Sequence, residues 1–222
     1  MIDAFVKAIR QLSDPAIRRV LWLGIGVSLA VFAVLWSGVG YLLTQTTFFQ
    51  TGWLDTAVDA LGGVATLAIS WFLFPVVISA FVGLFLERIA EAVERKHYPA
   101  LPPARDIPIG ETLAGSARFL GITLALNLVV LLFLIVPPVF PFVFYGVNGY
   151  LLSREYFEVV AARRMTVPAA REMRRTHMRR LFAAGLVVAF LLTVPFVNLL
   201  APVVGTAAMV HIFHRLWALP ER

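Results

Sequence analysis

Two stretches of this chain are too long for one membrane helix and too short for two. Phe119 to Leu152 and Leu181 to Phe213 run for 34 and 33 residues without one Asp, Glu, Lys or Arg. A helix crosses a hydrocarbon core of roughly 30 Å with about 20 residues. Two further uncharged stretches, Val20 to Leu43 and Leu61 to Leu86, each fit a single crossing with some tilt. A soluble domain is about half apolar and about a quarter charged. Here 60% of the 222 residues are hydrophobic and 14% are charged. The excess apolar surface must face lipid, so the sequence predicts a polytopic α-helical membrane protein.

Prolines account for the awkward lengths. Pro137, Pro138 and Pro141 sit near the middle of the third stretch, and Pro195 and Pro202 flank Asn198 in the fourth. Proline lacks the N–H that the helix ladder needs and clashes with the preceding turn. Each long stretch therefore reads as two short helices joined at a bend. An arm of about 15 residues reaches only about 23 Å at about 1.5 Å per residue, short of the far face. A bend at that depth leaves backbone unpaired, which lipid does not tolerate. The bends near Pro137 and Pro195 are therefore expected to line a cavity or to be buried against a neighbouring subunit.

The basic residues fall in groups that set a topology. Of 19 Lys and Arg, four precede Val20, five lie from Arg88 to Arg118, eight from Arg154 to Arg180 and two after Phe213. The loop 44–60 carries Asp55 and Asp59 and no cation. The positive-inside rule places that loop outside and the other flanks in the cytoplasm, so both long stretches begin and end on one side. The expected arrangement is a single membrane domain over 1–222. It has an interfacial amphipathic helix at 1–12, a first span at 14–43 and a second at 61–98 with a cytoplasmic extension. Proline-bent, partly inserted (re-entrant) hairpins follow at 119–152 and 181–213, with a basic helical segment at 153–180 between them. Ile2, Phe5, Val6 and Ile9 supply the apolar stripe of the first helix, with Asp3, Lys7 and Arg10 on its other side. The first apolar run exceeds the core of a signal peptide and no A-x-A site follows it, so it reads as a retained helix.

Few residues suggest chemistry. With no cysteine, thiol catalysis and cysteine-bound metals are excluded. His211 and His214, three apart, have no further ligand near and read as an interfacial pair at a helix end rather than a metal site. No enzyme motif is present in a suitable context, and no cofactor or metal is expected. The net charge of +6 points to lipid headgroups or an anionic substrate rather than nucleic acid. The most specific local feature is Ser13-Asp14-Pro15-Ala16-Ile17-Arg18-Arg19. Ser or Asp before Pro starts a helix, and the first turn offers unpaired N–H groups and a positive dipole end. Backbone donors at Ala16 and Ile17 with the guanidinium forks of Arg18 and Arg19 would suit a tetrahedral dianion. Against this stand two facts: the arginines also read as ordinary cytoplasmic anchors, and a carboxylate cap at Asp14 would compete with an anion unless Ser13 capped instead. Glu87, Arg88, Glu91, Glu94 and Arg95 read as a solvated extension of the second span, with i,i+4 pairing of Glu91 and Arg95 and a pore-mouth role as the alternative. Arg171, Arg174, Arg175 and Arg179 fall on one helical face that could attract anions or anionic lipid, with lipid contact or topology setting as the plainer reading. Asn127, Asn148 and Asn198 within apolar stretches pair between helices or line a pathway.

Three of these places resemble the CysZ family of bacterial inner-membrane sulfate permeases. Asp14-Pro15-Ala16-Ile17-Arg18-Arg19 is similar to that family's Pro-Gly-Ile-Arg-Arg start of the first span. Tyr150 to Arg180 contains Ala170-Arg171-Glu172-Met173-Arg174 after a helix exit. Val194 to Val210, VPFVNLLAPVVGTAAMV, looks like the family's Ile-Pro-hydrophobic-hydrophobic-Asn-Leu turn and the helix after it. The chain departs from the family pattern at Ala16 and Asp14, at Gly83-Leu84-Phe85-Leu86 and at Glu155-Tyr156-Phe157-Glu158. The resemblance implies two long spans, two pairs of partly inserted helices, homo-oligomers, and sulfate passage into the cytoplasm for cysteine synthesis. It also implies that Arg18 and Arg19 bind the anion. The pathway residues expected beyond them are Glu87, Arg88, Glu91, Asn127, Pro137, Asn148, Pro195 and Asn198. A non-transporting oligomeric scaffold and an anion channel of broader selectivity are the alternatives.

Overall fold

The computed structural model describes residues 1–45, 61–64 and 85–218. Among these the regular structure is entirely helical. The helices are α1 (Ile2–Arg10), α2 (Pro15–Gln45), α3 (Leu86–His97), α4 (Ile109–Phe133), α5 (Phe140–Ala162), α6 (Val167–Thr176), α7 (Met178–Thr193) and α8 (Ala201–Trp217). Apart from 61–64 and 85–86, the expected second span at 61–86 lies outside the described residues, as does the loop beyond Gln45. The chain forms two compact units, one of Met1–Arg18 with Phe85–Arg222 and the other of Arg19–Leu84.

The second unit carries most of α2. Residues Pro15–Gly38 of this helix are long and apolar enough to cross a membrane. Trp22 and Tyr41 are both exposed on it. At about 1.5 Å per residue they stand about 29 Å apart along the axis, close to one hydrocarbon thickness, where amphipathic rings collect at the two interfaces. Ser28 and Ser37 donate their hydroxyls to the carbonyls of Gly24 and Ala33, four residues back, at 2.8 Å in both cases. Neither hydroxyl is left unpaired in an apolar setting.

The first unit is built on α8, in which every residue but Arg215 and Trp217 is buried. Phe157 of α5 meets Phe213 with ring centroids 6.0 Å apart, and both are fully buried. The tightest seam joins α5 to α7. A Cβ on Gly185 would lie 2.0 Å from the carbonyl oxygen of Gly149, and one on Gly149 would lie 2.8 Å from Leu186. Small residues at both places let the backbones touch, the usual device where helices meet without a hydrophobic drive. The pair runs antiparallel, because Tyr145 near the start of α5 bonds Thr193 at the end of α7 at 3.0 Å.

The breaks fall where the prolines predict. Pro137 and Pro138 lie between α4 and α5, Pro141 enters the first turn of α5, Pro195 lies between α7 and α8, and Pro202 enters the first turn of α8. Two helical hairpins result, and both bends lie at one end of the unit. At the other end the start of α4 and the end of α5 meet, Arg105 N–H donating to Arg163 O at 2.9 Å.

The arms differ from expectation. α7 and α8 have 16 and 17 residues, about 24–26 Å at ~1.5 Å each and close to the expected reach. α4 has 25 residues, because the helix starts at Ile109, well before the apolar stretch begins. It is long and apolar enough to cross a membrane, and only 6% of its most apolar window is buried. A charge such as Arg118 marks the edge of an apolar run; it does not end a helix. The basic segment differs too. α6 and α7 are bent by 88° at His177, so Arg171, Arg174 and Arg175 are separated from Arg179 and do not share one face with it.

α1 has three faces rather than two. Ala4, Ala8 and Gln11 are buried, where α1 packs on α8. Asp3 bonds Lys7 at 3.3 Å and Arg215 at 2.6 Å. Ile2, Val6 and Ile9 remain exposed on the third face.

Candidate functional site

The start of α2 is capped by Asp14, not by Ser13. The Ala16 N–H donates to Asp14 Oδ1 at 3.0 Å, while Ser13 belongs to the preceding 3-10 turn. One backbone donor expected for an anion is therefore taken, and Pro15 has none to give. The cap carboxylate is itself engaged: Lys96 Nζ donates to Asp14 Oδ2 at 3.0 Å from the end of α3. The Lys96 hydrogen bond holds the Asp14 carboxyl below the usual carboxylate range, against the opposing effect of burial. Ile17 is fully buried in the core of the first unit, so its side chain anchors the turn and is closed to a ligand. Arg18 and Arg19 are both exposed.

Several backbone donors at the bends are paired within the turns themselves. At the first bend, the N–H groups of Leu134, Val136 and Val139 donate to carbonyls three residues back, and that of Phe140 to Val136 O. Pro137 and Pro138 carry no donor. At the second bend, Asn198 N–H donates to Val194 O at 3.0 Å and Val197 N–H to Pro195 O at 2.8 Å. The latter bond closes a γ-turn about Phe196, whose φ of 64° is rare for a residue with a side chain. Ile135, Phe142 and Phe196 at these bends are strongly exposed. Asn127 and Asn148 donate to the carbonyls of Thr123 and Phe144 in their own helices, both at 2.8 Å. The side chains of Asn127 and Asn148 are thus paired within their own helices.

Two polar centres at the opposite end escaped the sequence reading. The first surrounds Glu94, expected to be solvated and in fact 2% exposed. Its carboxylate receives Arg164 on both oxygens, at 2.9 and 2.6 Å, with Arg163 at 3.1 Å and His214 at 3.3 Å. Burial opposes the charge on Glu94. The hydrogen bonds from His214 and Arg164, with the nearby Arg163 guanidinium, outweigh burial and hold the carboxyl at about 2. Tyr98 stacks on His214 at 4.3 Å and bonds His211 Nδ1 at 3.0 Å. Both histidines are buried, so the interfacial pair expected at a helix end is instead part of the packing between α3 and α8. A signal was present: Leu86, Ile89, Ala90, Val93 and Glu94 lie on one helical stripe, and all are buried. Glu91 and Arg95, off that stripe, make the expected exposed pair at 3.9 Å. Arg88 is exposed, its guanidinium 5.0 Å from the Phe85 ring.

The second centre is a cleft of about 320 Å³ among α3, α4, α5 and α6. Glu87 lines it, as do Arg118, Arg154, Glu155, Arg171 and Arg174. Arg154 is buried and bonds Glu158 at 2.7 Å. Burial pushes the Glu155 carboxyl up. The cleft draws together charges from four segments between residues 87 and 174, and no spacing rule in the sequence links them.

Residues 4–202 match the model of one protein family, described as sulfate transporter CysZ/etoposide-induced protein 2.4. Among curated proteins no sequence matches.

Proposed function

This chain belongs to the sulfate transporter CysZ/etoposide-induced protein 2.4 family, and on that premise we propose that it carries sulfate or a related oxyanion into the bacterial cytoplasm across the inner membrane. The family match over residues 4–202 carries this reading. The exposed Arg18 and Arg19 at the start of an apolar helix support a role in capturing the anion. Lys96 helps them, because it engages the Asp14 carboxylate that would otherwise repel an anion. The path is channel-like or ion-coupled, it supplies sulfur for cysteine synthesis, and no catalytic step belongs to it.

The membrane arrangement in this reading has α2 as a span and the α7–α8 hairpin as a re-entrant element whose arms stop short of the far face. The exposed apolar residues of both bends enter lipid, and Ile2, Val6 and Ile9 of α1 rest in the interface. The nearly unburied α4 faces lipid or a second copy in a homo-oligomer. The alternative is a non-transporting oligomeric scaffold, whose hairpins serve only oligomerisation. Sulfate flux into proteoliposomes separates the readings. R18A with R19A is expected to slow flux at least tenfold. Unchanged flux and sulfate binding would remove these residues from the route, and wild-type protein without flux would favour the scaffold.

A further inference from the structure

The start of α1, the first turn of α7 and the end of α8 border a cavity of about 370 Å³, lined by Met1, Arg180, Ile212, Arg215 and Leu216. Its chemistry is divided. Ile212 and Leu216 belong to the buried core of α8 and give the cavity an apolar floor. Arg180 and Arg215 supply two cations, and among the described residues no carboxylate lines the cavity. Asp3 bears on it only through Arg215, which it bonds at 2.6 Å while also bonding Lys7 at 3.3 Å. One acid is thus shared by two cations. A guanidinium has five N–H donors, so Arg215 has donors left after the bond to Asp3. The Arg180 side chain is exposed and makes no ion pair among the described residues.

These cations stand at the head of an apolar path. Arg180, Ala183, Val187 and Phe190 follow one another at helical spacing on one face of α7. Val187 and Phe190 are exposed. Phe190 lies about 15 Å beyond Arg180 along the axis at ~1.5 Å per residue, half of a hydrocarbon core of roughly 30 Å and so about one leaflet deep. On the other side of the cavity, Ile2 of α1 is also exposed. Charge at the interface above an apolar stripe one leaflet deep is the layout of a phospholipid. Two cations against a share of one carboxylate leave the site positive, which calls for a headgroup of net negative charge. At about 30 Å³ per water, a cavity of about 370 Å³ has room for a phosphodiester and the glycerol it carries. A small soluble anion would leave Val187 and Phe190 without a role.

We propose that this cavity seats the headgroup of an anionic diacyl phospholipid of the phosphatidylglycerol type, its phosphate held by Arg180 and Arg215 and an acyl chain lying along Val187 and Phe190. The inference goes beyond sulfate transport and needs no flux. It rests only on the placement of α1 and the α7–α8 hairpin at the membrane. Planar guanidinium forks meet phosphate oxygens two at a time. A choline headgroup gains less there, because its own cation faces the same arginines. Arg215 is shared between Asp3 and the phosphate, so the lipid also ties α1 to the hairpin.

Native mass spectrometry of the full chain in detergent, titrated with dioleoyl phosphatidylglycerol or dioleoyl phosphatidylcholine, tests this. The wild type is expected to retain one phosphatidylglycerol per protomer about tenfold more tightly than phosphatidylcholine. R180Q removes an exposed cation with no ion pair to lose, so it is expected to fold and to bind phosphatidylglycerol about fivefold more weakly. R180Q with R215Q should bind the two lipids alike. R175Q removes an exposed arginine outside the cavity and should bind as the wild type does. Equal retention of both lipids by the wild type overturns the site, as does wild-type affinity in R180Q. An equal loss in R175Q also overturns it, by making the attraction diffuse. Displacement of the lipid by excess inorganic phosphate would assign the cavity to a free anion, and a protomer pairing abolished by R180Q without retained lipid would assign it to a second copy; either overturns the proposal. Sulfate flux is no part of the readout, so failure here leaves the transport reading standing, and absence of flux leaves the lipid site standing.

Discussion

Replacing Gly185 with alanine places one methyl group where the structure has no room for it. The added carbon would stand 2.0 Å from the Gly149 carbonyl oxygen, 2.7 Å from Ser153 Cβ and 2.8 Å from Ser153 N. Ordinary contact begins near 3.4 Å, so relief of the shortest approach needs about 1.4 Å of helix separation. Two of the three atoms are backbone and cannot rotate away. A gap of even ~0.5–1 Å forfeits a quarter to a half of each dispersion contact along the seam. Overpacking typically costs about 1–3 kcal/mol, and backbone on both sides puts this case at the upper end, about 3 kcal/mol. On the scale for chains of this size, where ~1 kcal/mol moves Tm by roughly 2–4 °C, G185A should melt about 6–12 °C lower. Thermal unfolding in detergent, followed by size-exclusion recovery, measures it. G146A on α5, the other helix of this seam, is the control, since its added carbon meets nothing within 4 Å. The reasoning is refuted if G185A melts with the wild type, or rises as G146A is expected to.

Other consequences are as direct. E94Q leaves Arg163 and Arg164 facing each other without a counter-charge and should cost about 3–5 kcal/mol, read from the same melts; a shift under ~1 kcal/mol would mean the arginines find other partners. The Glu94 carboxyl is held at about 2 against an ordinary 4.5, so the unfolded chain binds the extra proton between those values. Its contribution is then complete above pH 4.5 and drains as pH falls toward 2; E94Q should flatten this part of the acid-unfolding curve, and an unchanged acid limb would count against the cluster. Gln11 is buried, and among the described residues neither its amide nitrogen nor its oxygen is paired. Q11M should therefore stabilise by about 1 kcal/mol, and a lower Tm would show that the amide has a partner in the membrane.

The parts of the architecture that were legible depend on backbone chemistry. Pro137, Pro138 and Pro195 cannot continue a helix, so the hairpin bends could be read directly. The apolar stretch begins only after Arg118 and so places the start of α4 too late, because the helix runs through that charge. Glu94 departs from the rule that acidic residues face water, and its neighbours Leu86, Ile89, Ala90 and Val93 mark the buried stripe it belongs to. The Lys96–Asp14 pair joins residues 82 apart in sequence, and the cleft joins four segments. Such juxtapositions arise from packing, and a one-dimensional pattern carries no trace of them. The γ-turn at Phe196 has no local mark for another reason: a residue with a side chain disfavours positive φ, so its identity does not point to one.

Sulfate movement by the purified wild type is the measurement closest to the centre of this account. Sealed proteoliposomes, without ATP, should take up radiolabelled sulfate faster than protein-free vesicles, with saturation and with little competition from chloride. Uptake at the protein-free rate by folded, reconstituted protein would contradict it.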